Sequence, residues 1–188
     1  SQAGYNGASS SNLAMGANGP EAISLYMNDG GVSSLGHRRW VLYPQTQEMG
    51  TGDIDAPGSW MSVTNAMKSW DTHIWDARPA TLDPFVAWPP AAYIPYPVVY
   101  PVWSFSVANA NFTNASVEVT SGGLPVTVTV SRPPNGYGEN TLAFKACNCS
   151  TWPNPGADRA YRVTIRNVLL GGVLRDYSYT VTIIDPAQ

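Results

Sequence analysis

Short runs in which apolar and polar residues alternate dominate the chain beyond residue 102. Each run is bounded by turn-forming residues such as "SGGLP", "RPPNGYG" or "LLGG". Period-two alternation predicts strands that bury one face, and turns about every ten residues are typical of an immunoglobulin-like antiparallel β-sandwich. We therefore predict that architecture for residues 102–188, with strands at 116–120, 126–130, 141–144, 161–168 and 177–184.

A different periodicity occurs near the start of the chain. Four apolar residues fall on one face of a helix, and the helix is predicted to begin at Pro20, because proline fits a first helical turn. The sequence "NDGG" ends the helix, with glycine expected in the left-handed cap. The spacing predicts a helix over 20–28 with the apolar face Ala22, Ile23, Tyr26 and Met27. The first 18 residues, rich in Gly, Ser and Asn, predict loop.

Residues 77–101 are rich in proline and aromatic side chains. Proline cannot sustain a helix and lacks the donor that a sheet requires. We expect this segment to be an extended connector between two regions of different pattern, 1–76 and 102–188.

Charged residues make up only 12% of the chain, and the net charge is −3. An acidic chain lacks the basic face that nucleic-acid binding requires. No apolar run approaches the roughly 20 residues of a transmembrane helix. Few Lys, many Trp and Tyr, and abundant Ser, Thr and Asn suggest a secreted, extracellular protein.

Two cysteines, Cys147 and Cys149, lie in "FKACNCSTW". Their spacing allows a mutual disulfide if the chain bends locally, and a free pair is the alternative. A bond to an upstream segment remains open as well. Two ligands are too few for a structural zinc site.

The segments "SSNLAMG", "PEAISLYMNDGG", "LGHRRWVLYP" and "EMGTGD" occur in this order in the first 53 residues. In order and spacing they resemble the second half of a CAP domain, the superfamily of cysteine-rich secretory, antigen-five and pathogenesis-related proteins, in its bacterial form. The resemblance implies a partial CAP-like α/β/α region at 1–76. The fold class expected for the whole chain is then α+β, with the connector at 77–101 and the sandwich at 102–188.

CAP domains carry a cleft of two histidines and two acidic residues, in some members around a divalent cation. The resemblance implies His37 as the histidine of the Gly-His-Arg element, in a catalytic or metal-binding role. The alternative, which we expect from the residues, is a structural histidine that forms hydrogen bonds with the backbone. It implies Asp29 in place of a helix glutamate and Ser11 in place of a turn glutamate. Asn12 and Arg38 are further cleft candidates. Arg38 and Arg39 are alternatively expected to form ion pairs with Asp53, Asp55 or Glu48.

His73 lies between two tryptophans in "SWDTHIWDARP". A turn with amphipathic aromatic residues is the expected structure. Cation binding and stacking on a sugar ring are the alternatives.

On this basis we expect a secreted CAP-like protein that binds a partner outside the cell without catalysis. Two alternatives are a metal-assisted hydrolase of peptide or cell-wall material, centred on His37, and a structural assembly module. No cofactor is expected, with a divalent cation such as zinc as the alternative. The expected partner is an upstream segment of the same polypeptide, removed by proteolysis, or another protein chain. Lipid or glycan are alternative ligands, and no nucleic acid is expected.

Overall fold

The computed structural model describes residues 1–55, 57–58 and 62–187. The chain divides into two compact units, Ser1–Leu82 and Asp83–Gln188. Each unit has its own cluster of buried apolar side chains.

The first unit contains a three-stranded antiparallel sheet and short helices. The sheet has the order β1-β3-β2. The elements in chain order are helix α1 (Gln2–Ala8), strand β1 (Asn12–Met15), helices α2 (Gly19–Asn28) and α3 (Gly36–Val41), strands β2 (Gly50–Asp55) and β3 (Val63–Lys68), and a 3₁₀ turn (Thr72–Trp75).

Helix α2 confirms the helix predicted over 20–28. Its buried residues Ala22 and Tyr26 pack with Ala14, Ala17 and Met67. The left-handed cap differs from the prediction, because Asp29 and not a glycine adopts it, with φ of 50°. The Asp29 amide donates to the carbonyl of Leu25 at 2.8 Å, which closes the helix.

The first 18 residues are not the predicted loop. The hydroxyl of Ser1 accepts a hydrogen bond from the amide of Gly4 and caps α1. Strand β1 pairs antiparallel with β3, from Asn12 opposite Met67 to Met15 opposite Thr64. The loop prediction was wrong because this pairing is long-range, and composition within the segment does not report it.

The second unit is a sandwich of a four-stranded and a five-stranded sheet. The orders are β4-β6-β10-β9 and β5-β12-β11-β7-β8. The strands are β4 (Val86–Trp88), β5 (Tyr93–Pro95), β6 (Val102–Ser106), β7 (Ser116–Ser121), β8 (Leu124–Val126), β9 (Thr129–Ser131), β10 (Thr141–Lys145), β11 (Arg159–Leu170) and β12 (Val173–Ile184). A second 3₁₀ turn occupies Tyr96–Val98.

The β-sandwich prediction is confirmed for this unit. Trp103, Phe105 and Phe144 of one sheet share a core with Val163 and Val181 of the other. Most pairings are antiparallel, but β5 pairs parallel with β12. Strands β4 and β5 come from the segment that the proline pattern predicts as connector.

One predicted strand is divided in the structure. The run 126–130 was predicted as one strand, but its start belongs to β8 and its end to β9. β8 pairs with β7 in one sheet, whereas β9 pairs with β10 in the other. Alternation alone cannot reveal this crossing, because half-buried valines alternate with exposed threonines throughout the run 126–130.

The longest helix in the described residues, α2, has ten residues. This is about half the length that a bilayer-spanning helix needs.

Candidate functional site

The junction between α2 and α3 brings Asp29 and His37 together. The imidazole Nδ1 lies 2.8 Å from Asp29 Oδ1. The Asp29 side chain is 1% exposed, whereas that of His37 is 37% exposed. A buried carboxylate thus holds a histidine ring that still reaches solvent.

Reciprocal capping of the two helices fixes this pair. The guanidinium of Arg38 donates to the carbonyls of Met27 at 2.5 Å and Asn28 at 3.1 Å, at the end of α2. In return, Asp29 Oδ2 accepts the amide of Arg38 at 3.3 Å. Arg38 is fully buried. A cation beside the carbonyls of a helix C-terminus is favourable, and so is a carboxylate that accepts the free amides of a helix N-terminus. The contacts that join the two helices therefore also orient His37.

Tyr26 supports the ring from α2. Its ring stacks on His37 with centroids 5.8 Å apart, and its hydroxyl donates to Asn65 Oδ1 at 2.8 Å. Burial raises the pKa of Tyr26 to about 12. The phenol therefore stays neutral and serves as a support, not as an acid.

The hydrogen bond to Asp29 raises the pKa of His37 above its ordinary value, against the opposing effect of burial. Because Nδ1 faces a carboxylate acceptor, the neutral ring carries its proton on Nδ1. None of the hydrogen bonds found among the described residues engages Nε2. The lone pair of Nε2 is therefore the atom that His37 offers to a ligand.

A cleft of about 280 Å³ lies beside the pair. Its walls combine aliphatic side chains with the Asp29–His37 pair. One wall residue, Met15, is 66% exposed, which is high for a methionine. The cleft is lined by Leu13, Ala14, Met15, Leu25, Tyr26, Asn28, Asp29, Gly30, Val32 and His37.

The structure gathers four of the five residues that the sequence singles out. Asp29, His37 and Arg38 form the junction, and Asn12 Nδ2 donates to the carbonyl of His37 at 3.2 Å. Ser11 lies elsewhere: its hydroxyl donates to the carbonyl of Gly7 at 2.7 Å, at the end of α1. Arg39 donates to the carbonyl of Ser34 at 3.0 Å.

Met15 and Tyr26 were missed as site residues. Tyr26 was assigned only to the buried face of the helix, and Met15 lay in the segment predicted as loop. The run "NLAM" alternates in exposure, with Asn12 and Ala14 buried and Leu13 and Met15 exposed. Read as a strand, it would have placed Leu13 and Met15 on one face.

A second histidine–aspartate pair lies in the first 3₁₀ turn. His73 Nδ1 is 2.9 Å from Asp71 Oδ2, which also accepts the amides of Gln47 at 3.1 Å and Glu48 at 2.9 Å. Partial desolvation raises the pKa of Asp71, but hydrogen bonds from His73, Gln47 and Glu48 outweigh it and lower the pKa to about 2. His73 does not line the cleft beside His37. Asp71 connects the 3₁₀ turn with the loop that contains Gln47 and Glu48.

The described residues contain no group of three or more His, Cys, Asp or Glu side chains able to share a metal ion. A four-ligand zinc site of the structural kind therefore has no counterpart in that part of the chain.

No family model matches the chain, and no curated protein matches it. Among solved structures, similarity is found to PcoC, a methionine-rich copper resistance protein from Escherichia coli. It has 16% identity and a TM-score of 0.39, and covers 52% of this chain and 92% of that one. CopC from Methylosinus trichosporium OB3b has 16% identity and a TM-score of 0.41, with 54% and 91% covered. At these values the likeness is one of fold over about half of the chain and indicates no ligand.

These comparisons overturn the CAP resemblance and the function drawn from it. No CAP family model or CAP protein is found, and the similarity of structure is to copper resistance proteins. The CAP-like region at 1–76, the CAP-type binding or hydrolase function and the assembly module were wrong predictions. The motifs behind them are short and contain six glycines among their 35 residues, and short glycine-containing stretches recur in turns of unrelated folds.

Proposed function

We propose that the first unit binds one copper(I) ion in the cleft beside His37. The observation that carries the proposal is the Asp29–His37 pair, in which a buried carboxylate occupies Nδ1 and leaves Nε2 for a ligand. Metal-binding histidines characteristically donate their second N–H to a carboxylate, which fixes the tautomer and increases the basicity of the ligating nitrogen.

The second donor is the thioether of Met15, which lines the same cleft. A thioether sulfur selects Cu(I), imidazole suits copper among other metals, and carboxylates and carbonyls suit harder ions. Two donors are too few for the four-coordinate structural zinc site. The donor set therefore favours copper(I) over zinc.

The proposal rests on the first unit and not on the likeness of fold to copper resistance proteins. Residues 83–188 contain neither His nor Met, and both cysteines of the chain lie there as a disulfide. The sandwich in its oxidised form thus offers none of the side chains that ligate copper(I). The two histidines and all five methionines lie in residues 1–82.

We further infer that the chain works outside the reducing cytoplasm. The Cys147–Cys149 disulfide supports this inference, because disulfides persist in oxidising compartments and are rare in the cytosol.

The test is an anaerobic titration with Cu(I) in ascorbate, in competition with a chromophoric Cu(I) chelator. We expect one equivalent to bind. His37→Ala should abolish binding, and Met15→Leu should weaken it at least tenfold. His73→Ala is the matched control, because it removes the other histidine of a histidine–aspartate pair, and it should bind as the unmodified chain does.

Redox-inert Ag(I) gives a second readout in the unmodified protein. The ¹⁵N resonance of His37 Nε2 should shift on addition of Ag(I), while Nδ1, held by Asp29, should shift less. Binding that survives His37→Ala, or that is lost in His73→Ala alone, would refute the proposal. Circular dichroism of each variant separates loss of the site from loss of the fold.

A further inference from the structure

The turn after β10 contains the disulfide between Cys147 and Cys149, whose Cα atoms are 5.4 Å apart. Both cysteines are half-buried at the margin of the sandwich core, and Asn148 between them is exposed. This pair is separate from the His37 cleft and lies in the other unit.

The loop is held by buried residues on both sides of the disulfide. Ala146 before the pair is 5% exposed and Trp152 after it is 6% exposed. The ring of Trp152 packs against Trp103 at 5.2 Å and Tyr161 at 5.6 Å between centroids. Two core anchors therefore hold the loop on either side of the cysteines.

The disulfide also restrains the unfolded chain very little. The entropy that a cross-link removes grows with the length of the loop it closes, and this one joins residues two positions apart. Since it links no distant segments, the fold should persist when it is opened.

We propose that reduction converts Cys147 and Cys149 into a two-thiolate site for copper(I). A dithiol reductant opens the bridge by thiol–disulfide exchange: the S–S bond takes up two electrons and two protons, and the reductant becomes a disulfide. Copper(I) then displaces both thiol protons and forms two S–Cu bonds. This site is independent of the one proposed at His37.

The spacing of the pair suits such a site. Metal–thiolate bonds of about 2.3 Å place the two sulfurs at most about 4.6 Å apart. With Cα atoms 5.4 Å apart, rotation of the two side chains covers that separation without movement of the backbone. Thiolates are the softest donors in proteins and select Cu(I).

The experiment compares two reductants. Ascorbate keeps copper as Cu(I) but leaves the disulfide intact. A phosphine such as TCEP opens it, with water supplying the oxygen of the phosphine oxide. We expect one more equivalent of Cu(I) in TCEP than in ascorbate, together with thiolate-to-copper absorption in the near ultraviolet.

Variants separate this site from the one beside His37. The double substitution Cys147→Ser/Cys149→Ser should lose only the equivalent that requires TCEP. His37→Ala should lose only the equivalent that is present in ascorbate. Failure of one proposal therefore leaves the result for the other intact.

Two results would overturn the inference. One is the absence of the additional equivalent in unmodified protein whose two free thiols have been confirmed by thiol titration. The other is the same additional equivalent in the double serine variant. The comparison of reductants on the unmodified chain needs no variant, so the test holds even if the double substitution fails to fold.

Discussion

At the scale of residues, the chain has two histidines, and each one is paired through Nδ1 with an aspartate. The two aspartates are held in different surroundings. Asp29 is buried between two helix ends, whereas Asp71 lies nearer the surface and accepts three main-chain amides. In both pairs the hydrogen bond that the imidazole donates to the carboxylate is the main cause that raises the histidine pKa.

The direction of each shift fixes its effect on stability. A histidine whose pKa is raised in the folded state stabilises the fold at pH values below the pKa of the unfolded chain, about 6.5. This stability is lost as the pH rises through the pKa of the folded state. The lowered pKa of Asp71 acts in the opposite direction. It adds stability above about 3.8, which is lost as pH falls towards about 2.

Substitution of each aspartate should affect only its own histidine. Asp29→Asn should lower the pKa of His37 and leave that of His73 in place, because the amide cannot supply the negative partner. Asp71→Asn should do the reverse and serves as the matched control. Long-range ¹H–¹⁵N spectra recorded against pH give both values in one sample. An unchanged His37 titration in Asp29→Asn would show that the pair does not form in solution.

At the scale of elements, the β11–β12 hairpin joins the two longest strands among the described residues. Its two strands have 12 residues each, joined by Gly171 and Gly172. Both glycines have positive φ, 59° and 81°, as a two-residue type I′ turn requires. The register shifts between Ile165 and Val168, where Asn167 also has positive φ, 58°.

The loss of stability caused by a side chain in this turn should depend on how well that residue tolerates the left-handed region of backbone conformation. No atom lies within 4 Å of a Cβ built on Gly171, so any cost comes from the backbone. Gly171→Val should lower the free energy of unfolding by about 1–2 kcal/mol. Gly171→Asn, the matched control, should stay within about 0.5 kcal/mol, because Asn-Gly is the preferred type I′ pair. Chemical denaturation measures both, and equal losses would rule out this conformation of the turn.

At the scale of the whole molecule, the two units have separate cores. The core cluster of the first unit lies within residues 14–67, and that of the second within 85–183. The second cluster contains eight of the nine buried aromatic side chains among the described residues. Burial of apolar surface is the dominant stabilising contribution to folding, so the sandwich is the better equipped of the two units to fold independently.

A fragment of residues 83–188 should therefore fold alone. We expect a β-rich circular dichroism spectrum and a single cooperative unfolding transition. In ascorbate the fragment should bind no Cu(I), because it contains no His or Met. A fragment that remains unfolded would show that the sandwich depends on the first unit, and Cu(I) binding in ascorbate would contradict the assignment of copper to His37.

The sequence by itself determined the elements whose signals are local. Alternation in 102–188 predicted the sandwich, because a strand with one buried face repeats every two residues. The apolar face and Pro20 predicted α2 nearly to the residue. The same reasoning failed at 126–130, where one alternating run crosses from sheet to sheet, and at β1, whose pairing residues lie 49 to 55 positions further along the chain.

The tertiary structure decided which candidate residues meet. His37, Asp29 and Arg38 were all singled out from the sequence, but only the reciprocal capping of α2 and α3 places Asp29 on Nδ1 and leaves Nε2 for a ligand. Met15 entered the site through a strand pairing that no local pattern reported. The family resemblance was wrong for the same physical reason: short motifs specify turns and caps, whereas a binding site is specified by long-range contacts among them.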